Sequence, residues 1–382
     1  MRQWPKIALG DVLCRSSEPA VCMPDAEYDE VTIRLWGKGV ISRGKVRGAD
    51  VTTPRRVVRA NQLILSKIDA RNGAIGLVPQ ELDGAIVSND FPSFEFADSG
   101  QLDPAFMGWM VRSRHFVDLC KAASEGTTNR VRIKEDRFLA QKIMLPPIAE
   151  QQAIVSRLDT LANKVRRVNE HLDAIERDAD RLLAVRFRDA IADAPMRPMA
   201  EVAPSVRRSV TIDIDKRYRE VGARSFGKGL FVKPDFDGAD ATWQKPVWIN
   251  AGDVVLSNIK AWEGAIAVAS REHEGCIASH RYITCVPNSS VLTAGFLTYF
   301  LLSPDGLEQI GFASPGTADR NRTLSLTNLG KIEVPLPPIV TQQTFDALQT
   351  KVAELKARHT TIRQANDALI PATLERVFSG SH

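Results

Sequence analysis

The sequence predicts an α+β chain: two similar mixed α/β globular domains, separated by two long α-helices that form an antiparallel coiled coil and relate the domains by a pseudo-twofold axis. Three observations predict it. The phrase MLPPIAEQQAIV at residues 144–155 returns as PLPPIVTQQTFD at 335–346. Each phrase introduces an apolar rhythm of alternating fours and threes. The segments ahead of the two phrases are themselves copies of one another.

The duplication is read directly. YDEVTIRLWGKGVISRGKVRGAD (28–50) and YREVGARSFGKGLFVKPDFDGAD (218–240) share ten identities in 23 positions at an offset of 190. LILSKIDARNGAI (63–75) then matches VVLSNIKAWEGAI (254–266), and GTTNRVR (126–132) matches GTADRNR (316–322). The order is the same in both copies, and a period near 190 residues is far too long for a solenoid, so a whole domain is duplicated. Within a copy, short β-branched runs such as RVVRANQLILSKI and GAIGLV are punctuated by glycine and proline, as strands are. DPAFMGWMVRSRHFVDLCKAAS has helical apolar spacing.

After Pro147 the apolar positions are Ile154, Leu158, Leu161, Val165, Val168, Leu172, Ile175, Ala179 and Leu182. After Pro338 they are Phe345, Leu348, Val352, Leu355, Ile362 and Leu369, with His359 and Asn366 in the same register. Such a narrow stripe is the seam of a coiled coil, where polar members set register at some cost in stability. The paired prolines suit a helix start, where a missing amide costs nothing. Ala194-Pro195 and Pro198 are expected to end the first helix, and Pro371 to interrupt the second. The expected domains are therefore globular 1–145, helical 146–193, globular 194–336 and helical 337–382. A first helix of about 42 residues at roughly 1.5 Å each spans about 60 Å. On B-form DNA at roughly 3.4 Å per base pair that is about 18 base pairs.

Composition narrows the classes. With 382 residues, 44% hydrophobic and 25% charged, two domains are expected in an ordinary soluble protein. The apolar runs fall short of a membrane span and MRQWPKIALGDVLCRS lacks a signal peptide's apolar core, so a cytoplasmic protein with no membrane partner is expected. The five cysteines form no Cys-x-x-Cys pair, which supports neither a disulfide framework nor a zinc site. The six histidines form no spaced ligand set, and no triad is suggested. GVISRGKV (39–46) imitates a P-loop, but Val46 stands where a magnesium-binding Ser or Thr is needed. The net charge of +4 is unevenly spread: Arg34, Lys38, Arg43, Lys45, Arg47, Arg55, Arg56 and Arg59 face one acid, Asp50, along their stretch. That surplus suits a phosphate-bearing partner or a solvated basic face.

Leu145-Pro146-Pro147-Ile148-Ala149-Glu150-Gln151, its second copy Leu336-Pro337-Pro338-Ile339-Val340-Thr341-Gln342, and the tail ALIPATLERVFSG together resemble the specificity subunit of a type I restriction-modification system over essentially the whole chain. Thr341 departs from the glutamate usual in that phrase. The resemblance implies that the globular parts are target recognition domains, each reading one half of an asymmetric split site in double-stranded DNA. The helices would set the spacer and dock two modification subunits, which carry S-adenosylmethionine and methylate adenine at N6. Restriction subunits, using ATP with magnesium, would complete the assembly. No cofactor and no catalysis are implied for this chain, and it has no Asn-Pro-Pro-Tyr or Asp-Pro-Pro-Tyr motif. The rival reading is a coiled-coil scaffold that presents two protein-binding domains.

Phosphate contacts position a DNA-binding protein, and base-edge contacts specify sequence. Arg34 and Lys38 recur as Arg224 and Lys228, which suits phosphate contacts; a structural ion pair made alike in both copies is the alternative for Arg34 and Arg224. Arg130/Arg320 and Arg132/Arg322 allow the same two readings, or contact with a neighbouring subunit. Base readers should differ between copies. In the divergent stretches Arg43, Lys45 and Arg47 can offer donors to guanine edges or phosphates, and Arg55, Arg56 and Lys233 are further DNA-binding candidates. Around the shared Leu-Ser-x-Ile, Lys67, Arg71 and Asn72 stand against Asn258, Lys260 and Trp262, the last with ordinary packing as its alternative.

Overall fold

Each globular body is closed by pairing its first strand with its last. Lys6–Ala8 runs antiparallel to Lys142–Met144, and Met196–Pro198 antiparallel to Glu333–Pro335, so each body is tied off immediately before a proline phrase. The structure, a computed structural model, describes residues 4–97, 100–126, 131–241, 245–316 and 322–379. Two units emerge: Met1–Leu172 with His359–His382, and Asp173–Arg358.

In the first unit, one four-stranded sheet has the order Leu13–Ser16, Ser93–Phe96, Leu63–Leu65, Ile75–Leu77. A second has the order Val40–Arg47, Glu27–Ile33, Ile86–Val87, Arg56–Val57. Side chains alternate across a strand, and Leu63–Leu65 is buried on both faces. Leu63 and Leu65 enter the core around Phe94, Phe106, Phe116 and Phe138, while Ile64 enters a separate core with Val31, Val40 and Val87. In the second unit Val254 and Leu256 likewise face Phe296 and Phe300, and Val255 faces Val221 and Ile249. That double burial explains why this stretch reads as continuous apolar sequence in both copies.

Other identities of the repeat also have structural causes. The Tyr28 hydroxyl accepts from the Met23 amide at 2.9 Å, and the Tyr218 hydroxyl from the Asp213 amide at 3.0 Å. A Cβ on Gly48 would lie 1.9 Å from the Met23 carbonyl oxygen, and one on Gly238 2.0 Å from that of Asp213. Tyrosine and glycine thus close the same loop from two sides, and no larger residue fits at the glycine.

The phrase itself works through its first glutamine. Gln151 and Gln342 are fully buried. The Gln151 Oε1 accepts from the Asp103 amide at 2.8 Å, and its Nε2 donates to the carbonyls of Gln101 at 2.7 Å and Pro146 at 2.8 Å. Gln342 accepts from the Thr293 amide at 2.9 Å and donates to Val291 and Pro337, both at 2.8 Å. Asp103 and Thr293 are the N-caps of the helices Pro104–Met110 and Ala294–Leu302. Each glutamine therefore fastens the root of a long helix to the start of a short one. Glu150 is exposed and its Oε1 accepts from the Trp4 indole at 3.2 Å.

The long helices are Ile148–Ile191 and Ile339–Phe378. In the first unit Leu158 shares a core with Leu374 and Phe378, and Asn366 Nδ2 donates to Asn169 Oδ1 at 3.0 Å. In the second unit Phe187 lies 5.5 Å from Phe345 between ring centroids, and Lys356 Nζ bonds Asp180 at 2.6 Å. Rising numbers on one helix meet falling numbers on the other, so the pairing is antiparallel within each unit. Of the expected seam, Leu158, Leu172, Phe345 and Val352 are buried, and Ile154, Leu161, Val165, Leu348 and Leu355 are half-buried. His359 is buried and Ala179 and Asn366 are half-buried as well, but Val168, Ile175, Leu182, Ile362 and Leu369 are 39–46% exposed, while their neighbours Asn169, Glu176, Leu183, Arg363 and Ile370 turn inward. Pro371 does not interrupt the second helix, which continues to Phe378. The lost amide bond is offset by burial of Leu374 and Phe378 in the first core one and two turns later.

All five cysteines are free. Burial pushes the Cys120 and Cys285 thiols up to about 12 and also raises Cys276. Since the thiolate is the nucleophile, a disulfide reagent at pH 8 is expected to titrate only exposed Cys14 and partly exposed Cys22 in the native protein, and all five thiols in denaturant. Rapid reaction of more than two native thiols counts against these placements.

Candidate nucleic-acid interface

The repeated Gly-Lys-Gly forms the tip of a hairpin. In the first copy Glu27–Ile33 and Val40–Arg47 are paired, and the tip is pinned to the turn after the central strand. Trp36 N donates to Asn72 O at 2.9 Å and Gly37 N to Gly73 O at 3.0 Å. In the second copy the strands are Val221–Ala223 and Leu230–Val232. Phe226 N donates to Glu263 O at 2.8 Å and Gly227 N to Gly264 O at 2.9 Å. The fold thus joins, in each copy, the shared basic tip and the divergent turn that the sequence singled out separately. Both turns are 3-10, Ala70–Asn72 and Ala261–Glu263, ended by a glycine with φ 77°.

At the tips Arg34, Lys38, Arg224 and Lys228 are exposed, and none has an ion-pair partner among the described residues. Arg224 instead stacks over the Phe231 ring at 4.6 Å. The ion pair that does recur involves other residues. Arg43 approaches Glu30 at 4.0 Å, and Lys233 meets Glu220 at 2.9 Å at the corresponding positions of the second copy. Arg55, only 18% exposed, also bonds Glu30, and Lys45 lies 4.0 Å from Glu27. Arg47 is exposed at the hairpin's base and Arg56 is half-buried in its short strand. The neighbouring strand thus supplies acids that partly neutralise the basic run.

The turns differ in chemistry. Asn72 Nδ2 donates to Asp69 at 3.2 Å, and the Arg71 Nε is buried without a hydrogen-bond partner among the described residues. Lys67 is held by Glu135 at 2.9 Å. In the second copy Lys260 bonds Glu263 at 2.5 Å, and Ser225 Oγ donates to the same carboxylate at 2.9 Å. The Lys260 hydrogen bond, with help from Ser225, holds Glu263 below the usual carboxylate range. Trp262 packs on the core, donates from its indole to Ile259 O at 3.2 Å and is covered by Arg322 at 4.7 Å. Arg322 also donates to Gly311 O at 3.0 Å, the end of the helix Pro304–Ala313, so both residues have structural work. Asn258 leaves its Oδ1 buried and unpartnered among the described residues. Arg132 pairs with Asp90 at 2.6 Å. Arg130 and Arg320 lie outside the described residues.

Sequence reasoning missed the aromatics of the tips, Trp36 and Phe226, and the buried glutamine clamps. The signal for the first was an aromatic ahead of Gly-Lys-Gly in both copies, and for the second the repetition of the glutamine itself. Among the described residues no cluster of His, Cys, Asp and Glu could hold a metal, and no helix is long and apolar enough to cross a membrane.

Residues 3–177 match a family model described as the type I restriction modification DNA specificity domain. No curated protein matches the chain. The HsdS subunit from Thermoanaerobacter tengcongensis is similar in fold, with 21% identity, a TM-score of 0.64, and coverage of 100% of this chain and 98% of that one. A chain from a structure of the type I R-M system, described for its complex assembly and conformational transition, has 22% identity, a TM-score of 0.71, and coverage of 98% and 97%.

Proposed function

We propose that this chain, whose residues 3–177 match the type I restriction modification DNA specificity domain, reads an asymmetric bipartite DNA site with one half assigned to each copy of its repeat. The family match covers the first copy, and the internal duplication carries the same reading to the second. The observation that supports two different half-sites is the joining of a shared basic tip to an unlike turn. Arg34 and Lys38 stand beside Asn72 in one copy, and Arg224 and Lys228 beside Lys260 and Glu263 in the other. Shared cations suit phosphates, which carry no sequence, and unlike turns suit base edges, which do. On this reading residues 1–145 and 194–336 are the recognition domains, and 146–193 and 337–382 hold them apart.

The chain would act as a non-catalytic subunit in the cytoplasm. Two modification subunits would supply adenine methylation, and restriction subunits cleavage. Docking is supported by apolar side chains that the helix pairing leaves outside: Val168, Ile362 and Leu369 in the first unit, and Ile175, Leu182 and Val185 in the second. Methylome sequencing with and without the gene tests the proposal. The expected result is loss of N6-methyladenine from one split, asymmetric motif. Unchanged methylation, with the chain still bound to other proteins, would instead support the scaffold reading.

A further inference from the structure

Four non-glycine residues in the described chain have positive φ, and two of them are aromatics at corresponding positions of the repeat: Trp36 and Phe226, each at φ 62°. A bulky side chain is strained in that region, where glycine is at ease. Neither ring is hidden, for Trp36 is 68% exposed and Phe226 76%. The core therefore gains little from them, yet an exposed aromatic in a left-handed conformation is present twice. The residue is not identical between copies, but its class, backbone conformation and exposure are.

The surroundings indicate what such a ring would meet. Each lies two residues from an arginine and two from a lysine, all exposed and without ion-pair partners among the described residues. Lys228 Nζ stands 5.8 Å from the Phe226 ring. The backbone bonds to Asn72 and Gly73, and to Glu263 and Gly264, hold each ring beside the divergent turn. A ring flanked by unneutralised cations suits duplex DNA, where the phosphates supply the charge and an apolar wedge can pack on the deoxyribose or open a base step whose faces are otherwise stacked. Protein interfaces are enriched in aromatics and arginine but depleted in lysine, so the corresponding lysines Lys38 and Lys228 carry the discrimination.

We infer that Trp36 and Phe226 are DNA-contacting wedges, each laying its ring against a base or deoxyribose at the edge of its half-site while the flanking cations grip the phosphates. The contact is independent of sequence, because it recurs in two heads that read different bases. The inference rests on the DNA-reading function proposed above and adds the contacting residues.

The backbone conformation gives the test two signs. Trp36→Gly and Phe226→Gly relieve the strain and remove an exposed side chain, so the melting temperature should hold or rise. Affinity of the complex with its modification subunits, measured on duplexes carrying the methylated motif and on unrelated duplexes, should fall by roughly five- to a hundred-fold on both. The salt dependence should stay as in the wild type, because no charge is removed, and Trp36→Phe should retain most of the affinity. Unchanged affinity in both glycine variants overturns the inference, as does a fall in melting temperature, which would make the rings structural. Unchanged affinity with fewer modification subunits retained would assign the rings to a protein contact and also overturn it. If the wild-type complex bound no DNA, the proposed function would fall first and this inference with it.

Discussion

Gln151→Glu is expected to destabilise the first unit by about 3 kcal/mol or more, and Gln342→Glu to do the same in the second. The replacement is nearly isosteric, so packing is unchanged and the effect is electrostatic. The amide nitrogen of Gln151 donates to two backbone carbonyls, and a carboxylate oxygen there would face both with no proton between them. Protonation would restore one donor at the cost of a raised carboxyl pKa. The variant's deficit should therefore be greatest at neutral pH and shrink as pH falls through that raised value. Gln151→Ala leaves one amide and two carbonyls unsatisfied and should cost somewhat less than the charged variant at pH 7. Chemical denaturation as a function of pH separates these cases. A Gln151→Glu protein as stable as the wild type at pH 7 would show that the glutamine does not hold the helix root.

That clamp also shows what was legible in the sequence. The repetition of Leu-Pro-Pro-Ile-x-x-Gln marked a helix start twice, and both helices begin at its isoleucine. The reason for the glutamine was illegible, because its partners Gln101 and Asp103 lie some fifty residues earlier in the chain. The seam was readable at most of its positions, and five turned outward. Steps of three and four both meet apolar side chains around Leu158, and only the partner helix decides that Asn169, rather than Val168, turns inward. The basic run was misleading for a related reason. Counting charge along residues 34–59 omits the strand Glu27–Ile33, whose Glu27 lies near Lys45 and whose Glu30 meets both Arg43 and Arg55. What remains without an ion-pair partner among the described residues is smaller than the run: Arg34, Lys38, Arg47 and Arg56, of which the repeat kept only the two tip cations identical.

Those cations lead to the second large effect. Replacing Arg34, Lys38, Arg224 and Lys228 together by alanine should weaken DNA binding of the assembled complex about a thousand-fold at physiological salt, from roughly five-fold per released counterion. The plot of log affinity against log salt should become shallower by roughly three to four, since each lost phosphate contact removes about 0.9. Because these residues are exposed and lack ion-pair partners among the described residues, the fold should be preserved. Sequence choice should be preserved as well, since phosphate contacts position the protein without reading bases. Asn72→Ala and Lys260→Ala should behave oppositely, with little change of slope and relaxed choice at a position in one half-site each. Glu263 complicates the second case, because removing Lys260 frees a carboxylate that Ser225 alone would then hold. The double variant Lys260→Ala with Glu263→Gln removes that new charge and isolates the lysine's contribution. A quadruple variant with unchanged salt dependence would remove the tips from the DNA interface, whatever the chain's partners.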